Sequence, residues 1–423
     1  MKKMGSLSKL TVIYLCLLVF AVVLFVYEGR YEYFMGWRNP IRRAFTSVYP
    51  LHRLLKMQGV ASNETERGER RDSTAAVRSQ GREEAEDGQL SLNKTQRPLK
   101  YILVWTYDYG DKTRGHGEGH GAFRDQQCEV DACYLTGNRT LLPLAEFDAI
   151  TFHLRSMTPT DLPAVRSPHQ RWVFWEVESA SYVLQDLRVY RGLFNWTMTY
   201  RLDSDIQERY GGVFPGLSPS PPSSSSPYTP ERNYAKGKTK MAAWFVSNCA
   251  AKSGRGNVVK NMKKLMKVDV YGHCGKLKCK KWAAECYALL DKDYKFYLSF
   301  ENSLCTDYVT EKLFEILSRH DVVPVVFGLA NYSAIAPPHS VINVLDFPNV
   351  KALVEYLNYL DHNDTAYNEY FKWKAQYHSS NTWPSYCELC TKLHEDHTPK
   401  VYWDMKDWFM GQGGCRKINI PLM

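Results

Sequence analysis

Residues 296–317, FYLSFENSLCTDYVTEKLFEIL, leave the chain few options other than an alternating α/β fold. The apolar, aromatic run Phe296 to Phe300 predicts a buried strand, and Glu301-Asn302-Ser303 predicts a polar turn. A helix is expected to open near Thr306 or Asp307. Tyr308 and Lys312, four residues apart, then share one helix face, while Val309, Leu313 and Ile316 form the buried stripe. Where a strand ends and a helix begins, backbone N–H groups and the positive end of the helix dipole point toward anions. Lys312 is placed to meet a phosphate there and Glu311 to accept hydrogen bonds from ribose hydroxyls, with Tyr308 and Asn302 lining the pocket. The pattern points to a nucleotide-sugar site. An ordinary strand followed by a capped amphipathic helix is the plainer alternative.

FENS, then four residues, then YVTEKL closely resembles the donor-binding signature of α1,3-fucosyltransferases, glycosyltransferase family 10. Cys305 within the signature and the CELC…YWD ending look most like the invertebrate members labelled type C. The resemblance implies GDP-fucose as donor, a glycan acceptor, and two Rossmann-like domains in a GT-B arrangement. It also implies no obligatory cofactor, although manganese stimulates some members.

The rest of the chain reads consistently with a lumenal enzyme. Leu10 to Tyr27 is an apolar run without a charge. At 1.5 Å per residue it reaches about 27 Å, enough for a bilayer core. Lys2, Lys3 and Lys9 precede it and Glu28-Gly29-Arg30 follow, with no small-residue cleavage site. A signal anchor with a cytosolic tail (1–9) and a lumenal body is therefore expected over a cleaved signal peptide. Six sequons, at Asn63, Asn93, Asn138, Asn195, Asn331 and Asn363, agree with that side of the membrane. Of eleven cysteines, ten lie beyond the span, an even number suited to disulfides. The compartment expected is the Golgi, and a homodimer is compatible with everything here. The formal charge of +9 is concentrated between Lys252 and Lys281. Lys260, Lys263, Lys264 and Lys267 fall at helical spacing and read as a solvated face, with a basic field around a diphosphate as a secondary effect. A lumenal body argues against nucleic acid.

Residues 28–98 form a stem; Ser62 to Gln89 is too polar to build a core. Order is expected from Leu99. YILVWTY, FDAITFHL and RWVFWEV are continuously apolar strands of the kind found in a doubly covered parallel sheet, giving an acceptor-side domain over 99–215. Ser- and Pro-rich residues 216–240 read as a linker. A donor-binding domain follows over 241–396, with AAWFVSN, VDVYG, KFYLSF and VVPVVFG as strands, and 397–423 is expected to pack back on the body.

Transfer to a hydroxyl needs a base, and leaving a diphosphate needs cations. Glu178, in FWEVESAS just past a strand end, resembles the Glu of the family's ESPS-type motif, which implies the general base of an inverting single displacement. Ala180 stands where that motif has Pro, and Glu176 is the local rival. Arg255, in the glycine-containing turn Ser253-Gly254-Arg255-Gly256, joins Lys312 as the expected leaving-group contact. Asp203-Ser204-Asp205 has the look of an Asp-x-Asp metal motif; the family implies a structural or cleft-shaping role for Arg201 and Asp203 instead, and no metal site is assigned. His116 and His120 sit among too many glycines for a helical metal pair and read as a flexible acceptor-side loop, and His153 as either a core or a cleft residue. Cys387 and Cys390 leave zinc, redox chemistry and a local disulfide open; the family resemblance implies a disulfide between them. Cys128 and Cys133 make a plausible second local bridge. Spacing assigns no partners to Cys249, Cys274, Cys279, Cys286, Cys305 and Cys415. A Golgi sulfotransferase lacks support because no phosphate-binding loop follows the first strand. A catalytically silent lumenal lectin of the same fold remains the rival, and the acceptor glycan stays open between core N-glycan and LacdiNAc or Lewis-type antennae.

Overall fold

Two parallel sheets follow from the two sets of apolar runs. The computed structural model describes residues 97–423 except 108–109, 111–112, 114, 217–228, 230 and 281–282. The expected anchor, the expected stem up to residue 96, Asn63, Asn93 and part of the Ser/Pro segment lie outside them. Among the described residues no helix is long and apolar enough to cross a membrane.

The first sheet contains β1 (Lys100–Thr106), β2 (Cys133–Thr136), β3 (Ala149–His153), β4 (Arg171–Glu176), β5 (Trp196–Thr199) and β6 (Ile206–Gln207), in the order β2-β1-β3-β4-β5-β6. A short β7 (Gly212–Pro215) leads away. The second sheet contains β8 (Lys240–Phe245), β9 (Val268–Tyr271), β10 (Tyr294–Phe300), β11 (Val323–Phe327) and β12 (Ile342–Asn343), in the order β12-β11-β10-β8-β9. β13 (Tyr377–Ser380) pairs antiparallel with β7, and every other pairing named is parallel. Counted within each sheet, the first shows the order 2-1-3-4-5-6 and the second 2-1-3-4-5, so the order of strand addition reverses between β1 and β3 and between β8 and β10. Ligands of such sheets bind beyond the carboxyl ends of the strands at that reversal.

Side-chain alternation places Leu103, Ile150, Phe152, Trp172 and Phe174 on one face of the first sheet and Ile102, Val104, Ala149, Val173 and Trp175 on the other. The second sheet buries Trp244, Phe296, Leu298, Phe300 and Val325 against the helices Arg255–Met262 and Val350–Asp361. The helix Ser385–Glu395 falls inside the stretch expected to belong with the donor side. Its Tyr386, Leu389, Cys390 and Leu393 nevertheless pack on the first sheet. The closing segment divides: Met405, Trp408 and Phe409 join the first sheet's core, Ile420 the second's.

The disulfides correct the expected local bridges. Cys387 does not pair with Cys390, nor Cys128 with Cys133: the bonds are Cys128–Cys387 and Cys133–Cys390. The CxxC residues lie one turn apart on the helix Ser385–Glu395, and each reaches across to the segment entering β2. The pair thus staples that helix to the first sheet instead of closing a small ring. The remaining bonds are Cys249–Cys274, Cys279–Cys286 and Cys305–Cys415.

Candidate active site

The signature helix begins later than expected, spanning Glu311–Arg319. Asp307 adopts the left-handed φ of 60°, which an α-helix does not admit, and Thr306 bridges to Leu329. Tyr308 therefore precedes the helix and does not share a face with Lys312. Val309, Leu313 and Ile316 are buried as the pattern required. The helix start is set by Glu301, at the end of β10, whose carboxylate accepts from Thr310 N at 2.8 Å and from Thr310 Oγ1. Burial pushes the Glu301 carboxyl upward, and Lys312 pulls the other way. An acidic group facing the first helical turn is favoured by the helix dipole as well.

Glu311 and Lys312 open the helix beside a cavity of about 170 Å³ at the carboxyl ends of β8, β9 and β10. Val246, Ser247, Gly272, His273, Arg255 and Tyr297 complete much of its wall. Lys312 Nζ lies 2.7 Å from Thr310 Oγ1, 3.1 Å from Glu311 Oε1 and 3.4 Å from Glu301 Oε2. Burial opposes its charge, yet the two carboxylates outweigh burial and hold Lys312 above the ordinary lysine range. Glu311 is held below the ordinary range because Lys312 overcomes its own burial. Arg255 is the first residue of its helix, preceded by Gly254 at φ 72°. Its guanidinium donates to Phe300 O at 2.6 Å and to Asn248 O at 3.3 Å, fixing it between the ends of β8 and β10. Burial pulls its pKa down, and its Nε is buried without a partner.

Glu178 lies just past the carboxyl end of β4 and faces this second sheet. Its Oε1 accepts from Tyr308 Oη at 2.5 Å, from Ser179 N at 3.0 Å and from Asn302 Nδ2 at 3.4 Å. Its Oε2 faces the Arg155 guanidinium at 3.8 Å. Glu176, the rival, is fully buried and accepts from Glu178 N at 2.7 Å, so it serves the turn. The structure thus brings Glu178, Asn302 and Tyr308 into one cluster and Arg255, Glu311 and Lys312 into another. Residues 300–312 join the two.

A groove of about 1220 Å³ runs along the signature helix and shares Glu311, Glu315 and Tyr287 with the smaller cavity. Tyr210 of its wall packs edge-on against Tyr308 at 6.3 Å. His116 lines this groove near Glu208 at 3.9 Å, whereas His120 turns to Cys133 O at 3.1 Å, so the two histidines do not converge. Asp203 is held by Arg201 at 2.6 Å and Asp205 by Lys400 at 2.5 Å, which commits both carboxylates elsewhere. Among the described residues, Cys133, Cys390 and His394 alone have metal-like spacing, and the two sulfurs there are bonded to each other. Of the sequons, Asn138 and Asn331 are exposed. Asn363 caps Ala366 at 3.0 Å. Asn195 Oδ1 accepts from Trp172 N and Arg166, and Nδ2, the atom a glycan would take, donates to Lys400 O at 2.9 Å.

Glu301, the anchor of Lys312, and the serines that meet behind Glu178 lie inside the FENS and ESAS motifs, and their polarity is the only trace of these roles in the sequence.

Residues 97–211 match the family described as "Fucosyltransferase, N-terminal", and residues 235–408 match "Glycosyltransferase family 10 (fucosyltransferase) C-term". Alpha-(1,3)-fucosyltransferase C of Drosophila melanogaster is 39% identical over 336 residues, 74% of this chain and 78% of that one. Glycoprotein 3-alpha-L-fucosyltransferase A of the same organism is 38% identical over 76% of this chain and 62% of its own. A crystal structure of an α1,3-fucosyltransferase with GDP aligns at 16% identity and a TM-score of 0.47, covering 74% of this chain and 94% of that one.

Proposed function

The chain belongs to glycosyltransferase family 10, the fucosyltransferases, and on that premise we propose that it transfers L-fucose from GDP-fucose in α1,3 linkage to a GlcNAc residue of a glycoprotein or glycolipid glycan. The observation that carries the reading is the contact of Glu178 with Asn302 and Tyr308, which joins an acceptor-side carboxylate to the donor signature.

In this reading Tyr308 and the Ser179 amide hold Glu178 Oε1, and Oε2 is the oxygen that takes the acceptor proton. Fucose leaves GDP as the acceptor oxygen attacks from the opposite face, inverting the anomeric centre. Lys312 and Arg255 meet the negative charge that grows on the diphosphate, and Glu311 accepts from the ribose hydroxyls. Glu301 keeps Lys312 charged and aimed. We read the enzyme as a Golgi type II membrane protein with this body in the lumen, and manganese as at most a stimulant.

The test is GDP release by a secreted form beginning at Gln96, given GDP-fucose and a panel of core N-glycan, LacdiNAc and Lewis-type acceptors. Turnover on one class names the acceptor. Donor binding without transfer to any of them favours the silent lectin, and absence of GDP-fucose binding refutes the donor site.

A further inference from the structure

The turn carrying Glu178 and the turn carrying Asn302 belong to different sheets, and among the described residues no backbone hydrogen bond joins them. Side chains do. Ser179 Oγ donates to Ser303 Oγ at 2.7 Å, Ser181 Oγ lies 2.8 Å from Ser303 Oγ, and Ser179 Oγ lies 3.1 Å from Ser181 Oγ. Three hydroxyls, each able to donate once and accept twice, close a ring in which one donation per residue satisfies all three bonds. Ser179 and Ser303 are shut off from solvent, at 0% and 1% exposure, so water offers no substitute. Ser181 is partly exposed, so the Ser179–Ser303 bond is the enclosed one; an apolar contact of equal area lets two turns slide, whereas a hydroxyl ring fixes their spacing.

We propose that Ser303 is a positioning residue for the transfer reaction: the ring it closes with Ser179 and Ser181 holds the Glu178 carboxylate in register with the donor-binding turn. The inference rests on the fucosyl-transfer reading above. Supporting bonds lie on either side of the ring. Ala180 N donates to Tyr200 Oη at 3.2 Å, and Tyr200 packs edge-on against Tyr308, the residue that grips Glu178. At the far end, Lys252 donates to Ser181 O, and Asn248 donates to Tyr182 Oη at 3.2 Å. The base turn is thereby moored to the ends of both β8 and β10, the two strands that flank the donor-side reversal. Ser179 and Ser181 follow β4 and Ser303 follows β10, so the hydroxyl at Ser303, immediately after Asn302, is the one through which the two strand ends meet.

Ser303→Ala removes the oxygen on which both loop serines converge. A base displaced by a fraction of an ångström costs transfer far more than it costs donor binding, roughly tenfold to a hundredfold. Transfer to acceptor should fall by that factor, while GDP affinity by calorimetry changes less than twofold. The KM for GDP-fucose should stay within about twofold, so the loss falls on kcat for transfer. Ser179→Ala should give a similar loss and the double variant little more than either alone. A KM for GDP-fucose that rises as much as kcat falls, or losses that add in full, would overturn the inference, because a general weakening of the fold gives those results. Amide exchange of residues 178–183 reads the ring without turnover: faster exchange in Ser303→Ala is expected, and unchanged exchange overturns the inference. Failure of the wild-type chain to transfer fucose counts against the functional reading alone, since exchange still decides whether the ring holds the turn.

Discussion

Replacing Lys238 by methionine tests how the second sheet tolerates a buried amine. Lys238 is 7% exposed, and its Nζ donates to Leu290 O at 3.2 Å and to Asp321 O. Burial is the dominant influence and pushes its pKa down to about 7, with Asp291 and Asp321 pulling it up and Lys374 and Arg232 reinforcing the fall. Against the ordinary 10.5, that is on the order of 5 kcal/mol of disfavour for the charged form. Between the two values the unfolded chain binds one more proton than the folded one, so stability rises with pH across this window. The slope is a little over 1 kcal/mol per pH unit, or roughly 2 kcal/mol from pH 7.5 to pH 9. Above about pH 9.5 the trend reverses, because burial raises the hydroxyls of Tyr297, Tyr308 and Tyr367 and the unfolded chain loses those protons first. Denaturant unfolding followed by tryptophan fluorescence, with disulfides intact, measures the slope directly. Lys238→Met should flatten it between pH 7.5 and 9. Equal slopes in the two proteins would mean that Asp291 and Asp321 outweigh burial and that Lys238 is charged in the fold.

Three further outcomes are expected. Glu178→Gln keeps the shape and loses the proton acceptor, so transfer should fall by roughly a hundredfold or more while GDP binding by calorimetry persists; loss of both would remove the assigned role. Arg255→Lys cannot reach the Phe300 and Asn248 carbonyls as a fork, so KM for GDP-fucose should rise roughly tenfold with KM for acceptor unchanged. Peptide mapping without reduction should recover Cys128 linked to Cys387 and Cys133 to Cys390. Cys387→Ser/Cys390→Ser together should lower unfolding free energy by about 5 kcal/mol, since the two bonds close nearly the same long loop, with separations of 259 and 257 residues.

What could be read from the chain alone was whatever rests on neighbours in sequence. The apolar runs at 100–106, 171–176 and 294–300 became buried strands because period and composition are local properties. The donor signature was legible for the same reason: a strand end, a polar turn and a helix start lie within a few residues of one another. Even here the helix start was misjudged, because Asp307 takes a left-handed turn that depends on Thr306 meeting Leu329 and Gly413 from elsewhere in the chain. Everything that required two distant segments was decided by the tertiary structure. The CxxC left zinc, redox chemistry and a disulfide open and the family resemblance implied a local ring, but the packing of Tyr386 and Leu389 on the first sheet carries both sulfurs to Cys128 and Cys133. The serine ring joins residues 124 and 122 positions apart. Glu178 reaches Tyr308 across 130. Closing such distances is driven by burial of whole faces, which no local pattern records. The sequence determined which chemistry the chain carries, and the meeting of two sheet ends determined which carboxylate faces the donor signature.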